Sequence, residues 1–188
     1  MSNPDWVARA RAGETAAFSA LVDEFQRPVY NLCYRMLGDS KEAEDAAQES
    51  FLRAYTRLAS YDPKRPFKTW LFSIASHYCI DLLRKRRLIW LSIEDESRPV
   101  EPELFEPSAG PEESSVHREQ VEAIQGLLSR LTPNDRAVIV FRYWYDGSYE
   151  EIAEITGSTV SAVKSRLHRA REALAEMMED ESEEAVVV

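Results

Sequence analysis

A short run of basic, hydroxyl and imidazole side chains near the C-terminus carries residue types that hydrogen-bond to nucleic acid. Apolar residues recur at helical spacing between Val160 and Leu174, which predicts an amphipathic helix with one inward stripe. Steps of about 100° per residue place six polar residues on the opposite face and its flanks: Ser161, Lys164, Ser165, Arg166, His168 and Arg169. Arg169 can make a bidentate contact to guanine, while Lys164 and Arg166 suit phosphates. An ordinary solvated helix face has the same pattern, so these residues alone leave both interpretations open.

The segment just before this helix predicts how the helix is held. Ser148 and Glu151 have the spacing of a capping box, and Gly157 is the residue type that ends a helix in the left-handed conformation. Ser158 is then expected to cap the longer helix. The short helix, the tight turn and the basic longer helix together predict a helix-turn-helix over Ser148–Arg171, whose second helix enters the major groove of DNA.

A second cluster of cations ends a predicted helix in the first half of the chain. This helix begins near Phe67 and finishes with Arg84, Lys85, Arg86 and Arg87. The helical period predicts an inner stripe of Phe67, Leu71, Ile74, Ala75, Tyr78 and Leu82. It predicts an outer face of Thr69, Ser73, Ser76, His77, Ile80 and Arg84. Aromatic rings beside a basic cluster can stack on single-stranded bases or form a core, and both interpretations stay open for Tyr61, Trp70 and Phe72.

The sequence contains no constellation that predicts catalysis, a metal site or a cofactor. It has three histidines and two cysteines, and it lacks a phosphate-binding loop or a nucleophile–base motif. His77 and Cys79 form a lone H-x-C without a second ligand pair, and Cys33 lies in an apolar helical run. We therefore expect a protein that is not an enzyme, has no metal or cofactor and takes no small-molecule substrate.

Helical periodicity along the chain predicts an all-α protein made of two small helical domains. The first covers residues 1–87, and the second covers residues 117–178, where four helices end in the helix-turn-helix. Residues 88–116 are acidic and rich in proline, which predicts an extended linker. Residues 179–188 are predicted to form a disordered acidic tail.

Two features of the first domain predict where its helices begin and end. Pro28 is expected to kink a long helix or to mark a junction. Asp39 or Ser40 is expected to cap the next helix. That next helix is predicted to use as apolar positions Ala43, Ala47, Phe51, Leu52, Tyr55 and Leu58.

Charge is distributed unevenly along the chain. The formal net charge is -10, which argues against a non-specific nucleic-acid coat protein. Residues 1–87 carry a balance of +3, whereas residues 88–116 carry -7 and residues 117–188 carry -6. DNA is therefore expected only at local basic patches. No apolar run has the length of a membrane span and no signal peptide is visible, so we expect a cytoplasmic protein.

Four blocks in this order resemble the extracytoplasmic-function (ECF) sigma factors of the sigma-70 family, the small promoter-specificity subunits of bacterial RNA polymerase. The first domain contains YNLCYRMLGDSKEAEDAAQESFLRAY (Tyr30–Tyr55) and FKTWLFSIASHYCIDLLRKRR (Phe67–Arg87). The second contains LTPNDRAVIVFRYW and SYEEIAEITGSTVSAVKSRLHRAR. The resemblance covers nearly the whole chain, and it implies a role in transcription initiation, typically in a stress response.

The resemblance assigns a partner to each of three surfaces. In relatives, the helix matching Lys41–Ser60 docks on a coiled coil of the largest polymerase subunit, and the matching residues here are Asp45, Gln48, Glu49 and Arg53. The next helix of relatives reads the -10 promoter element and captures an extruded base, which implies roles for Ser73, Ser76, His77, Arg84, Lys85, Arg86 and Arg87. Relatives commonly carry Asn at the His77 position, and Asn has a different hydrogen-bonding geometry. The recognition helix of relatives reads the -35 element as duplex, through positions matching Lys164, Ser165, His168 and Arg169.

The resemblance also implies roles for the linker and for a regulatory partner. In the family, the inter-domain segment threads the active-site and RNA-exit region of polymerase, where negative charge would mimic nucleic acid. The chain looks closest to members controlled by membrane-associated anti-sigma factors. Two alternatives remain: an independent helix-turn-helix regulator, which would not explain the Tyr30–Tyr55 block, and a protein adaptor that has lost DNA binding.

Overall fold

The computed structural model describes residues 3–94 and 115–186, with the side chains of residues 5–89 and 119–179, and its regular structure there is helical. The helices in these ranges are α1 Asn3–Arg11, α2 Thr15–Leu37, α3 Ser40–Arg57, α4 Phe67–Glu94, α5 Ser115–Arg130, α6 Pro133–Trp144, α7 Tyr149–Thr156 and α8 Val160–Val186. A 3₁₀ turn, Leu58–Ser60, follows α3. Contacts divide the chain into two compact units, Met1–Glu103 and Leu104–Val188. The prediction of an all-α protein with two helical domains is confirmed, including the four helices of the second.

In the first unit, α2 is the central helix and packs against α1, α3 and α4. Its inner face is apolar, and Leu21, Val29, Leu32 and Met36 have no exposed surface. Burial of a side chain of this size contributes about 1.5–3 kcal/mol. This apolar face therefore fixes α3 and α4, the two helices with candidate binding residues, relative to each other.

The junction between α2 and α3 is set by local sequence. α2 continues through Pro28, so of the kink or junction expected at that residue the junction does not occur; burial of the helix face around it outweighs the loss of one backbone hydrogen bond. The helix instead ends at Gly38, which has a φ of 85° and donates its N–H to the Tyr34 carbonyl at 2.8 Å. Asp39 then caps α3 by accepting from the Glu42 N–H at 2.7 Å, as predicted.

Two helices extend further than the sequence indicated. α4 continues to Glu94, so the extended linker expected from Leu88 is wrong over residues 88–94. α8 continues to Val186, so the disordered tail expected from Glu179 is wrong over residues 179–186. Neither extension contains Gly or Pro, the two residues that most disfavour a helix interior, so no helix-breaking residue lies within either one. Residues 95–114, the remainder of the predicted linker, lie outside the described residues.

In the second unit, α6, α7 and α8 pack against one another around an apolar core. Phe141, Ile152 and Leu167, one from each helix, are at most 2% exposed. α6 begins at Pro133, and Thr132 caps it by accepting from the Asp135 N–H at 3.3 Å. Packing against α6 and α7 therefore fixes the orientation of α8 and of its outward face.

Candidate nucleic-acid interface

The α7–α8 pair has the helix-turn-helix form that the sequence predicted. Ser148 Oγ accepts from the Glu151 N–H at 3.1 Å, and the Ser148 N–H donates to Glu151 Oε2 at 2.9 Å, which completes the capping box. Gly157 ends α7 with a φ of 62°. The turn that separates the two helices is therefore fixed by short-range interactions.

The start of α8 differs from the prediction by one residue. Thr159, not Ser158, caps the helix, because its hydroxyl accepts from the Ala162 N–H at 3.1 Å. The Ser158 hydroxyl is instead hydrogen-bonded to the Thr156 hydroxyl at 2.8 Å. Both arrangements satisfy a polar group at the turn, and the outward face of α8 is unaffected.

The outward face of α8 lies where the apolar stripe placed it. Val163, Leu167 and Ala170 are buried. The opposite side exposes Ser161, Lys164, Ser165, His168 and Arg169. Arg166 is partly buried at the flank. The five exposed side chains form the α8 polar face. Their hydroxyl, ammonium, imidazole and guanidinium groups can donate hydrogen bonds to base edges and phosphates.

Two residues of the α8 polar face lie beside carboxylates of their own unit. His168 Nε2 is 3.6 Å from Glu172 Oε1, one helical turn later. Arg169 Nη2 is 3.7 Å from Asp135 Oδ1 on α6. The side chains of His168 and Arg169 nevertheless remain 74% and 64% exposed. Both can therefore meet a ligand without rearrangement of the backbone.

Lys164 is positioned by an aromatic ring that the sequence analysis did not single out. Lys164 Nζ lies 5.6 Å from the ring centroid of Tyr149, and the Arg142 guanidinium carbon lies 5.5 Å from the same centroid. Arg142 also donates to the Gly147 carbonyl at 3.0 Å. Cation–π contacts at exposed sites contribute about 0.5–1 kcal/mol. Because these contacts join α6, α7 and α8, no periodicity in the sequence could have marked Arg142 or Tyr149.

The buried face of α4 is rotated relative to the predicted one. Phe72, Ser76, Cys79 and Ile80 are at most 3% exposed, and Thr69 is 7% exposed. The outward position predicted for Ser76 is therefore wrong, because its hydroxyl does not reach the surface. α4 is apolar around most of its circumference and packs against α1, α2 and α3, so the helical period does not define one inner stripe.

His77 and Ser73 remain at or near the surface of α4. His77 is exposed, and its Nδ1 lies 2.7 Å from the Ser73 carbonyl oxygen. A ring nitrogen beside a carbonyl carries the proton, so a neutral His77 presents Nε2 outward as an acceptor. The Ser73 hydroxyl, which is partly exposed, donates to the Trp70 carbonyl at 2.7 Å.

The four cations at residues 84–87 do not share one face. Arg84, Lys85 and Arg87 are exposed. Arg86 instead forms an ion pair with Glu42 of α3, and both side chains are about one-third exposed, at 32% and 35%. Burial lowers the pKa of Arg86 from its ordinary value, although arginine stays charged at neutral pH. Arg86 therefore joins α4 to α3 and is less available to DNA than the other three cations.

The aromatic rings near the start of α4 form one cluster. Tyr61, Phe67 and Trp70 have centroid separations between 5.1 and 5.7 Å. Tyr61 and Phe72 are buried, whereas Trp70 is partly exposed. The Tyr61 hydroxyl donates to the Arg65 carbonyl and thereby closes the loop between α3 and α4. The core interpretation therefore applies to Tyr61 and Phe72, and Trp70 alone of the three keeps an accessible edge.

The four residues expected to contact polymerase lie on α3. Asp45 and Gln48 are exposed, and Glu49 and Arg53 are partly exposed. Arg53 Nε donates to Glu49 Oε1 at 2.7 Å. The Arg53 guanidinium also lies over the Tyr78 ring of α4, 4.4 Å from its centroid. Arg53 is therefore held in place within the first unit, whereas Asp45 and Gln48 face solvent.

Two apolar residues of α3 that the helical period assigned to the inner side are on the surface. Leu52 is 58% exposed and Tyr55 is 49% exposed. The Tyr55 ring packs edge-on against Phe18 with a centroid separation of 4.9 Å. Leu52 follows Asp45 by two helical turns and lies on the same side of α3. Leu52 therefore adds an apolar side chain to the exposed side of α3 that carries Asp45.

The two cysteines are buried free thiols in the core of the first unit. A hydrogen bond with Cys33 and burial raise the pKa of the Cys79 thiol well above its ordinary value. Cys79 therefore packs as a small apolar side chain, because the thiolate is the reactive form. Within the described residues, no group of three or more His, Cys, Asp or Glu side chains is placed to hold a metal ion. No helix in that part of the chain is both long and apolar enough to cross a membrane.

Two family models match the chain, and each falls in one of its units. Residues 21–89 match the model described as Sigma-70 region 2. Residues 121–174 match the model described as Sigma-70, region 4. The second range contains the helix-turn-helix and the α8 polar face.

Individual relatives align over most of the chain. The ECF RNA polymerase sigma factor SigW of Bacillus subtilis is 38% identical over 178 residues, which covers 93% of this chain and 95% of the relative. The RNA polymerase sigma-H factor of Pseudomonas aeruginosa is 32% identical over 177 residues and covers 89% of each chain. Among solved structures, CnrH in complex with the cytosolic domain of CnrY superposes with a TM-score of 0.71 at 24% identity, covering 95% of this chain and 97% of the other. This last similarity concerns the fold alone.

Proposed function

The chain belongs to the extracytoplasmic-function sigma factors of the sigma-70 family, and from this membership we propose which of its surfaces make the contacts of a promoter-specificity subunit. Such a subunit binds core bacterial RNA polymerase and directs transcription initiation at promoters. It is a specificity subunit and not itself a catalyst. The surfaces proposed below follow from exposure, charge and chemistry.

We propose that the α8 polar face reads the -35 element as duplex DNA. The observation that carries this assignment is the exposed row of Ser161, Lys164, Ser165, His168 and Arg169 opposite a buried stripe. A helix-turn-helix inserts its second helix in the major groove, where base edges present distinct acceptor patterns. Arg169 is the base-reading residue of this row, while Lys164 and the flanking Arg166 serve phosphates.

The -10 element is assigned to the exposed side of α4. His77 and Ser73 form its polar centre, with Trp70 providing an accessible ring edge. Arg84, Lys85 and Arg87 follow along the same helix and provide positive charge for the DNA backbone. Ser76 and Arg86 are excluded from this surface, because Ser76 is buried and Arg86 is paired with Glu42.

Core polymerase is assigned to the exposed side of α3. Asp45, Gln48, Glu49 and Arg53 supply a polar surface, and Leu52 supplies an apolar contact near its centre. A coiled coil of the largest polymerase subunit is a suitable partner, because a helix with one apolar residue and rim charges packs well against helices. An anti-sigma factor, membrane-bound in some members of the family, is a further proposed partner, and its co-purification with the chain from uninduced cells would test it.

Run-off transcription tests the proposal as a whole. Start-site mapping after induced expression of the chain supplies candidate promoters, and the purified chain is then added to core polymerase on those templates. We expect promoter-dependent transcripts that disappear when either promoter element is scrambled. An independent regulator or an adaptor would give no such transcript with core enzyme, and that result would reject the proposed function.

A further inference from the structure

Arg169, the proposed base-reading residue, lies beside a carboxylate from another helix of its unit. Arg169 Nη2 is 3.7 Å from Asp135 Oδ1. The Arg169 side chain is 64% exposed, whereas the Asp135 side chain is only 14% exposed. The guanidinium therefore has one edge towards a nearly buried anion and the rest towards solvent.

Asp135 is held in place independently of Arg169. Its Oδ2 accepts from the Thr132 hydroxyl at 2.7 Å, and its backbone N–H donates to Thr132 Oγ1 at 3.3 Å. This cap lies at the N-terminus of α6, where the helix dipole favours a negative charge. The carboxylate is thus a fixed point against which a flexible arginine can be oriented.

The second carboxylate oxygen of Asp135 lacks a hydrogen bond. Oδ1 is buried and accepts none within the described part of the chain, and the Arg169 guanidinium is the cation paired with it. A buried acceptor without a donor is costly, so a donor that moves closer is stabilised. Exclusion of water by DNA at this edge strengthens the attraction between the two charges.

We propose that Asp135 is a positioning residue that sets the preference of Arg169 for guanine. The planar guanidinium has five donors, of which guanine takes two on one edge and the carboxylate takes another. An arginine held in this way loses less conformational freedom on binding than a free one. It is also less able to turn towards a phosphate or another base. The inference rests on the proposed function, because it requires α8 to read duplex DNA.

The negative charge of Asp135 predicts an effect on DNA affinity that a purely structural role would not have. A carboxylate at the edge of the DNA surface repels phosphates, so it lowers affinity for every sequence. Asp135 therefore raises specificity while reducing non-specific affinity, since discrimination is a difference between two affinities. A residue that only stabilised α6 would do neither, and its loss would weaken binding to all sequences.

The test uses the full chain in holoenzyme with core polymerase and a promoter library randomised in the -35 element. Asp135→Asn keeps an acceptor for Thr132 but removes the charge that faces Arg169. We expect the guanine preference at the Arg169 position to fall roughly three- to tenfold, while binding to unrelated duplex increases. Asp135→Ala, a second variant, should lower the guanine preference in the same way.

Two controls separate positioning from charge and from folding. Glu172→Gln removes the same charge beside His168, so it should raise non-specific binding without changing the guanine preference at the Arg169 position. In an Arg169→Ala background, Asp135→Asn should produce no further loss of discrimination. Thermal melting of each variant identifies loss of fold.

The outcomes distinguish this inference from the function on which it rests. An unchanged guanine preference in Asp135→Asn, or an equal change in both Arg169 backgrounds, would overturn the inference and leave the -35 assignment intact. Absence of any -35 preference in the wild-type holoenzyme would reject the role of α8, and with it the inference.

Discussion

Lys164 and Arg169 share one face of α8 but have different chemistry for DNA. The lysine ammonium is a compact point charge, whereas the arginine guanidinium is a planar fork that matches the two acceptors of guanine. Lys164 lies against the Tyr149 ring, and Arg169 lies beside the Asp135 carboxylate. Removal of the two side chains should therefore affect promoter binding in different ways.

Arg169→Ala should cost roughly 1–3 kcal/mol of discrimination at one -35 position, because the bidentate contact is lost. Lys164→Ala, the matched variant, should weaken binding to all sequences about equally. It should also reduce the slope of log affinity against log salt concentration by about one. Holoenzyme binding to -35 variants at several salt concentrations measures both effects. An unchanged base preference in Arg169→Ala would contradict its assigned role.

His77→Asn should change the base preferred in the -10 element, because an amide offers a donor and an acceptor side by side whereas a neutral His77 presents one outward acceptor. Ser76→Ala, on the neighbouring residue, should leave that preference unchanged, because Ser76 is fully buried. Transcription from templates with each base at each -10 position compares the two variants. A shift caused by Ser76→Ala alone would contradict the exposed face assigned to α4.

At the scale of elements, the helix ends follow short-range sequence and the helix faces follow packing. Ser148, Glu151 and Gly157 fix the turn before α8 through bonds between close neighbours in the chain. The orientation of α4 is set instead by the helices against which it packs. The ion pair between Arg86 and Glu42 is one of the contacts that join α4 to α3.

Arg86→Ala should lower the free energy of unfolding of the first unit by about 1 kcal/mol, since it leaves Glu42 without its partner. Arg87→Ala should change that free energy by less than about 0.5 kcal/mol, because Arg87 is exposed. It should instead weaken promoter binding in a salt-dependent way. Urea unfolding, monitored by amide hydrogen exchange in α3 and α4, measures the free energy of unfolding. A loss of stability in Arg87→Ala but not in Arg86→Ala would contradict the structural role assigned to Arg86 and the DNA-contact role assigned to Arg87.

At the scale of the whole molecule, the charge of -10 limits how the chain can hold DNA by itself. The two candidate DNA surfaces, the α8 polar face and the end of α4, are local clusters of positive charge, while the chain as a whole repels phosphates. Binding to core polymerase would resolve this conflict, because contacts between the larger enzyme and the promoter would add to those of the chain. The polymerase surface proposed on α3 would then contribute to promoter choice together with the two proposed DNA surfaces.

The double change Asp45→Ala and Gln48→Ala should weaken binding to core polymerase while leaving the helical content unchanged, because both side chains face solvent. The pair Asp23→Ala and Gln26→Ala is a matched control, since it removes the same exposed residue types at the same spacing from α2. Affinity for core enzyme and circular dichroism test both pairs. Retained affinity in the α3 variant would remove this face from the proposed interface.

The sequence by itself determined the class of fold, the helix-turn-helix and the outward face of α8. These features depend on interactions between residues a few positions apart, such as the capping box and Gly157, and on a stripe with a single buried side. The family resemblance also followed from four sequence blocks. Local physical chemistry is enough for such features, because the bonds that create them are closed within one or two helical turns.

Only the tertiary structure decided which side of α4 is buried and which polar residues pair across helices. α4 is apolar on several sides, so Ser76 and Ile80 were predicted to face outward although both are buried. The partners of Arg86, Lys164 and Arg169 come from other helices. Such contacts depend on how helices pack, and no spacing within one segment encodes them.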